Sequence, residues 1–179
     1  MVDSAGPCGI VLAAGLSRRL GRNKLLLPLG LKPILLWTVE NALASPLDEV
    51  IVVTGHQEEA VEAAIRHLPV RIVHNPDYAE GQSTSLKAGV RGSSPWTEGF
   101  VFFLGDQPLI GADIVTALLE RFRRDHPLLV APVFAGKQGN PVLVSAKLRK
   151  ELLSLTGDAG ARPLIERHAD ALATVEINQ

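Results

Sequence analysis

Short apolar runs alternate along the chain with segments in which apolar positions recur every three to four residues. The runs at 8–13, 49–54, 70–74, 100–105, 128–133, 141–145 and 172–177 predict strands. Val50-Ile51-Val52-Val53 and Phe100-Val101-Phe102-Phe103-Leu104 are continuous rather than alternating. That is the pattern of strands covered on both faces, as in a parallel sheet. Between the runs, Leu36, Val39 and Leu43 keep helical spacing, as do Ile114, Leu118 and Phe122. Residues 56–67 and 83–91 read as further helices, and 146–154 and 160–168 as shorter ones. Pro28, Pro33, Pro46, Pro69, Pro76 and Pro95 all fall between elements, where a missing N–H breaks no ladder. The alternation predicts an α/β fold, a three-layer α/β/α sandwich with a mostly parallel central sheet. Ligands of such sheets bind beyond the carboxyl ends of the strands. The loops at 13–24, 54–57, 75–85 and 105–111 are therefore expected to line one crevice.

Composition narrows the function classes. With 179 residues and 46% hydrophobic content, the chain suits one domain, 1–179, with a substantial core. A net charge of −1 argues against a dedicated nucleic-acid binder, whose basic footprint would show in the total. No apolar run approaches the ~20 residues that cross a bilayer, and the N-terminus lacks a signal-peptide core. A cytoplasmic protein without a membrane partner is the expectation. The single cysteine, Cys8, forbids an internal disulfide or a multi-cysteine zinc site and reads as buried filler at the start of the first strand.

The densest chemistry follows that strand: Leu12-Ala13-Ala14-Gly15-Leu16-Ser17-Arg18-Arg19-Leu20-Gly21-Arg22-Asn23-Lys24. Small residues let backbone N–H groups approach an anion, and Arg18, Arg19, Arg22 and Lys24 add charge where a triphosphate could lie. Five residues separate Gly15 from Gly21, and Arg22 follows, so this is not a P-loop. The three-glycine dinucleotide fingerprint is absent too. A solvated basic loop is the other reading.

Three further constellations lie downstream. Gly105-Asp106-Gln107-Pro108 leaves the carboxyl end of the strongest strand, where one carboxylate can hold Mg2+ beside phosphate oxygens and water. An Asx-turn or a helix N-cap would explain the same aspartate. Gly81-Gln82-Ser83-Thr84-Ser85-Leu86 opens a helix, and its groups can receive a base, ribose or phosphate. N-capping by Ser83 or Ser85 competes with that reading, but the Gln82 amide both donates and accepts, as reading a nucleobase edge requires. Gly139-Asn140-Pro141-Val142 and Gly157-Asp158-Ala159-Gly160-Ala161-Arg162 are turn-rich. They are either loop chemistry alone or a second ligand site, with Arg162 available to pair a phosphate. His56 follows a strand end and could touch the crevice; no nucleophile triad is apparent.

These elements, in this order, resemble the nucleotidyltransferases of Rossmann-like, GT-A-related fold, and most of all the molybdenum cofactor cytidylyltransferase family of MobA-like NTP transferases. The resemblance spans nearly the whole chain. It implies transfer of CMP from CTP to molybdopterin cofactor, with release of pyrophosphate. Related guanylyltransferases carry Gly in place of Ala14 and a Gly-Pro-Leu-Ala-Gly-like segment at 81–85, so Ala14 and Gln82 favour cytidine. By the same resemblance Leu12, Ala13, Ala14, Gly15, Arg18, Arg19 and Lys24, with Gly81, Gln82 and Ser83, hold the nucleotide. Lys24, Arg19 and Asp106 carry catalysis, and Asp106 binds Mg2+. Asn140, Asp158, Gly160 and Arg162 belong to the acceptor. A nucleotide half (about 1–110) would then precede an acceptor half (about 111–179). The implied partners are CTP, the molybdopterin or molybdenum cofactor, and a molybdenum hydroxylase apoenzyme or its chaperone. Rival readings are a guanylyltransferase, a sugar- or polyol-phosphate nucleotidyltransferase, and a non-enzymatic cofactor-delivery protein. The resemblance departs at Glu176-Ile177-Asn178-Gln179, where relatives continue into an Asp-Ile-Asp-Thr-Pro-Glu-Asp-like segment that helps bind metal. Asn178 as a substitute ligand and a chain cut short there are the two readings this leaves open.

Overall fold

The apolar runs become strands because both of their faces are covered, which the computed structural model makes explicit for residues 6–16 and 23–178. The strands are Cys8–Ala13 (β1), Pro28–Leu29 (β2), Lys32–Pro33 (β3), Glu49–Thr54 (β4), Arg71–His74 (β5), Gly99–Leu104 (β6), Leu129–Phe134 (β7), Lys137–Gln138 (β8), Val142–Ser145 (β9) and Leu172–Ile177 (β10). The helices are Ile34–Leu43 (α1), Glu58–Ile65 (α2), Gln82–Gly92 (α3), Ala112–Asp125 (α4), Arg149–Ser154 (α5) and Arg162–Arg167 (α6). Short 3-10 turns form at Lys24–Leu26 and Tyr78–Glu80.

The main sheet runs β10-β7-β9-β6-β1-β4-β5, with β8 paired to β7. β1 lies between β4 and β6, parallel to both, and β5 is parallel to β4. The predicted α/β architecture and mostly parallel sheet are thus the observed ones. β8 and β9 are the exceptions: the short β8 is antiparallel to β7, and β9 is antiparallel to β6 and to β7. Val142, the first residue of β9, pairs with Phe102 near the end of β6. The segment leading into β9 therefore opens at the same rim as the carboxyl ends of β1 and β6. No periodicity in the sequence carries strand direction.

Successive residues of β1 and β6 point to opposite faces, and each face is apolar. Val11, Val101 and Phe103 join Leu35, Val39 and Leu118 on one side, covered by α1, α2 and α4. Ile10, Phe100 and Phe102 join Leu86, Leu152 and Leu164 on the other, covered by α3, α5 and α6. Full burial of each such side chain stabilises by about 1.5–3 kcal/mol. The β2–β3 hairpin escapes sequence reading because it consists of two-residue strands flanked by Pro28 and Pro33 and turning at Gly30 (φ +65°). Among the described residues no helix is long and apolar enough to cross a membrane.

Cys8 is fully buried in the second of these cores. Burial, reinforced by the negative charge of Glu49, pushes its thiol up to about 12. The thiolate is the reactive form, so Cys8 is expected to resist alkylation by iodoacetamide at neutral pH and to react once the chain is unfolded. Intact-mass spectrometry with and without denaturant checks this; rapid labelling of the native protein would contradict it.

Candidate active site

Two opposite charges meet where β1 and β6 end. The chain re-enters the described residues at Asn23, whose Oδ1 accepts from the Leu25 N–H at 3.1 Å and so caps the Lys24–Leu26 turn. Leu25 is buried in the core beneath. The turn is thereby held at both levels, and Lys24 Nζ lies 3.1 Å from Asp106 Oδ2. Asp106 is positioned from the other side. The Gly105 N–H donates to Leu12 O (3.0 Å), the Thr38 hydroxyl donates to Gly105 O (3.1 Å), and the Asn41 amide donates to Pro108 O (3.0 Å). α1 thus clamps the loop that presents the carboxylate. The helix that follows is capped by Gly111, which removes the N-cap explanation of Asp106.

The Lys24 and Asp106 side chains are 45% and 40% exposed. Exposed ion pairs contribute about 0–1 kcal/mol, so stability gives little reason to hold these two together. Two adjoining clefts do. One, of about 840 Å³, is lined by Leu12, Ala14, Gly15, Lys24, Gly81 and Gln82, and also by Asp106 and Asp158. The other, of about 490 Å³, is lined by Asn140, Gly160 and Arg162. Leu12, Gln82 and Leu104 face both.

Most of the site residues read from the sequence fall on these walls, with four qualifications. Arg18 and Arg19 lie outside the described residues, as does Arg22. Ala13 is buried in the core, its side chain turned into the sheet. Ser83 is also buried, and its N–H donates to Gly157 O at 3.1 Å. Asp158 stands in the larger cleft, apart from Asn140, Gly160 and Arg162. Neither serine caps α3, whose N-cap is Gly81. The 54–57 loop sits behind the larger cleft: the His56 N–H donates to Ala14 O (3.2 Å), and its ring lies 6.1 Å from that of Tyr78. Asn178 follows the edge strand β10 and lines neither cleft.

Sequence reading missed Tyr78 and Glu80 in the larger cleft and Gln138 and Glu166 in the smaller. Each had a positional signal. Tyr78 and Glu80 fall in a loop expected at the rim, Gln138 directly precedes Gly139, and Glu166 is four residues after Arg162 on one helix face. α6, which carries Arg162 and Glu166, is tied to α5 at its far end. Glu151 takes Arg167 at 2.9 Å and His168 at 2.9 Å. The hydrogen bond from His168, then that from Arg167, holds the Glu151 carboxyl below its usual range. The tie is fully present above the ordinary carboxylate range and is lost as the pH falls below it, through the lowered value.

Among the described residues no three His, Cys, Asp or Glu side chains gather to hold a metal. A lone carboxylate is nonetheless the donor set magnesium commonly uses when phosphate oxygens and water complete its shell, and Asp106 fits that pattern.

Comparisons with known proteins show the family and the fold. Residues 9–172 match the family profile described as MobA-like NTP transferase domain. The chain is 38% identical over 137 residues to the molybdenum cofactor cytidylyltransferase of Escherichia coli K12, covering 76% of this chain and 68% of that protein. It is 33% identical over 178 residues to the nicotine blue oxidoreductase of Paenarthrobacter nicotinovorans, covering 93% and 86%. Among solved structures it is similar to Rv0371C of Mycobacterium tuberculosis H37Rv complexed with manganese, with a TM-score of 0.85, 25% identity, and coverage of 98% and 90%.

Proposed function

This chain belongs to the MobA-like NTP transferase family, and from that membership we propose that it is a cytidylyltransferase of molybdenum cofactor biosynthesis. It moves CMP from CTP to the terminal phosphate of the molybdopterin cofactor and releases pyrophosphate. The observation that carries this is the Lys24–Asp106 pair, 3.1 Å apart on the wall of a cleft that adjoins a second one. Two substrates that must exchange a phosphoryl-linked group need two pockets sharing a seam. The similarity to the Escherichia coli cytidylyltransferase supports the choice of substrates.

In the proposed reaction an oxygen of the acceptor phosphate bonds to the α-phosphorus of CTP. The bond from that phosphorus to the bridging oxygen breaks, and pyrophosphate leaves with the electron pair. Such chemistry asks the protein mainly for positioning and charge stabilisation. Gly15 and Gly81 let the backbone approach the nucleotide in the larger cleft, and Gln82 meets the base. Lys24 supplies positive charge at the α-phosphate, and Arg19 is assigned to the departing pyrophosphate. Asn140 and Arg162 hold the acceptor in the smaller cleft. The acceptor phosphate is already ionised at neutral pH, so no side chain need serve as base. Asp106 would hold Mg2+, which when bound neutralises phosphate charge. A molybdenum hydroxylase apoenzyme, or its chaperone, is the proposed recipient of the product.

Pyrophosphate release tests this. The protein is incubated with Mg2+, molybdopterin and each of CTP, GTP and ATP. CTP is expected to give the fastest release. Turnover with GTP alone would move the assignment to a guanylyltransferase, and turnover only on sugar or polyol phosphates would replace the acceptor. Silence with every nucleotide and acceptor would leave a delivery protein.

A further inference from the structure

We propose that the 157–160 loop is a positioning element for the Gln82 amide, so that Asp158 and Gly160 act on the nucleotide side through Gln82 rather than by holding the acceptor. This rests on reading the larger cleft as the nucleotide site.

The loop meets the start of α3 through two hydrogen bonds and two close backbone approaches. The Gln82 N–H donates to Asp158 Oδ1 at 3.0 Å, across 76 positions of sequence. The Ser83 N–H donates to Gly157 O at 3.1 Å. Gly81 has φ +121°, and a Cβ there would stand 2.6 Å from Gly157 O. A Cβ on Gly160 (φ +59°) would stand 2.7 Å from Gln82 Oε1. The α3 N-cap is itself a glycine with no side-chain acceptor, so Asp158 takes over the task from a distant loop. A carboxylate is the favoured group at a helix start, where N–H donors and the positive end of the dipole converge.

The consequence is at the seam. Of the three residues that face both clefts, only Gln82 can form directed side-chain hydrogen bonds. Its backbone is fixed by Asp158, and its amide oxygen lies against the bare Cα of Gly160. The loop that leads directly into Arg162 on the smaller cleft thereby sets the orientation of the one amide on the boundary. Discrimination between nucleotides should therefore depend on a loop that acts through the Gln82 amide.

A two-by-two set of Gln82→Ala, Asp158→Ala and the double variant tests this, read as the ratio of Kd for GTP to Kd for CTP by calorimetry with Mg2+. Asp158→Ala is expected to reduce that ratio by about tenfold, close to the effect of Gln82→Ala, with little further loss in the double variant. Asp158→Asn keeps an acceptor oxygen and should restore most of it. Gly160→Ala leaves the cap in place, crowds the amide oxygen and should lower the ratio as well. Equal weakening of both nucleotides by Asp158→Ala, or full additivity with Gln82→Ala, would overturn the proposal. If the wild-type protein binds no nucleotide, the functional reading falls separately. The NMR resonances of the Gln82 side-chain amide then decide the positioning claim. A shift on Asp158→Ala upholds it, and unchanged resonances refute it.

Discussion

Asp106→Asn is expected to lower kcat for pyrophosphate release by about 10³ while leaving the melting temperature almost unchanged. Asparagine keeps the size and the loop geometry of this position. The backbone around it is fixed by Leu12, Thr38 and Asn41, none of which bonds the carboxylate. What disappears is the charge that faces Lys24 and that would hold a metal ion among phosphates. Removing one preorganised electrostatic group at a reacting centre typically costs about 10²–10³ in rate, and loss of the ion as well places this variant at the upper end. The side chain is 40% exposed, so the ion pair itself gives little stability to lose. Rate measurements at saturating CTP and Mg2+, paired with a thermal melt, check both halves. A variant with more than a tenth of the normal rate would remove Asp106 from the mechanism.

Lys24→Ala is expected to cost about 10²–10³ in kcat, with a smaller change in the KM for CTP. The distinction matters because a cation that only attracted the nucleotide would raise KM and spare kcat. Lys24 is held by a capped turn whose Leu25 is buried, so the amine sits where it is needed before any ligand arrives. Lys24→Arg keeps the charge but changes its shape and reach, and should recover only part of the rate. The double variant Lys24→Ala/Asp106→Asn should be little worse than Asp106→Asn, because in the proposed mechanism the two groups act on one phosphate centre. Fully multiplicative losses would mean that they serve separate steps.

Much of the scaffold was legible in the sequence for a simple reason. β1 and β4 occupy the expected spans because continuous apolar runs bounded by glycine, proline or charge have few other folds available, and β10 does so by alternation. The rim position of Lys24 and Asp106 was expected because their loops leave the carboxyl ends of β1 and β6, beyond which ligands sit. Features that depend on long-range contact were not legible. The grip of Asp158 on α3 spans 76 positions and leaves no local trace, so Asp158 looked like an acceptor ligand. Ser83 read as a nucleotide contact or a cap, and its surroundings bury it. Tyr78 and Glu80 were hidden in a short 3-10 turn that has no periodicity to read.

The reversed direction of β9 has one more effect. Because its opening residues rather than its closing ones reach the busy edge of the sheet, most polar side chains of the smaller chamber come from the peripheral stretches 138–140 and 160–166, while Leu12, Phe102, Leu104 and Val142 of the central strands form its apolar floor. The larger chamber draws on the loops after β1, β5 and β6. On the function proposed above, such a protein can trade one acceptor for another by rewriting two peripheral stretches, while the apparatus that activates the donor stays as it is.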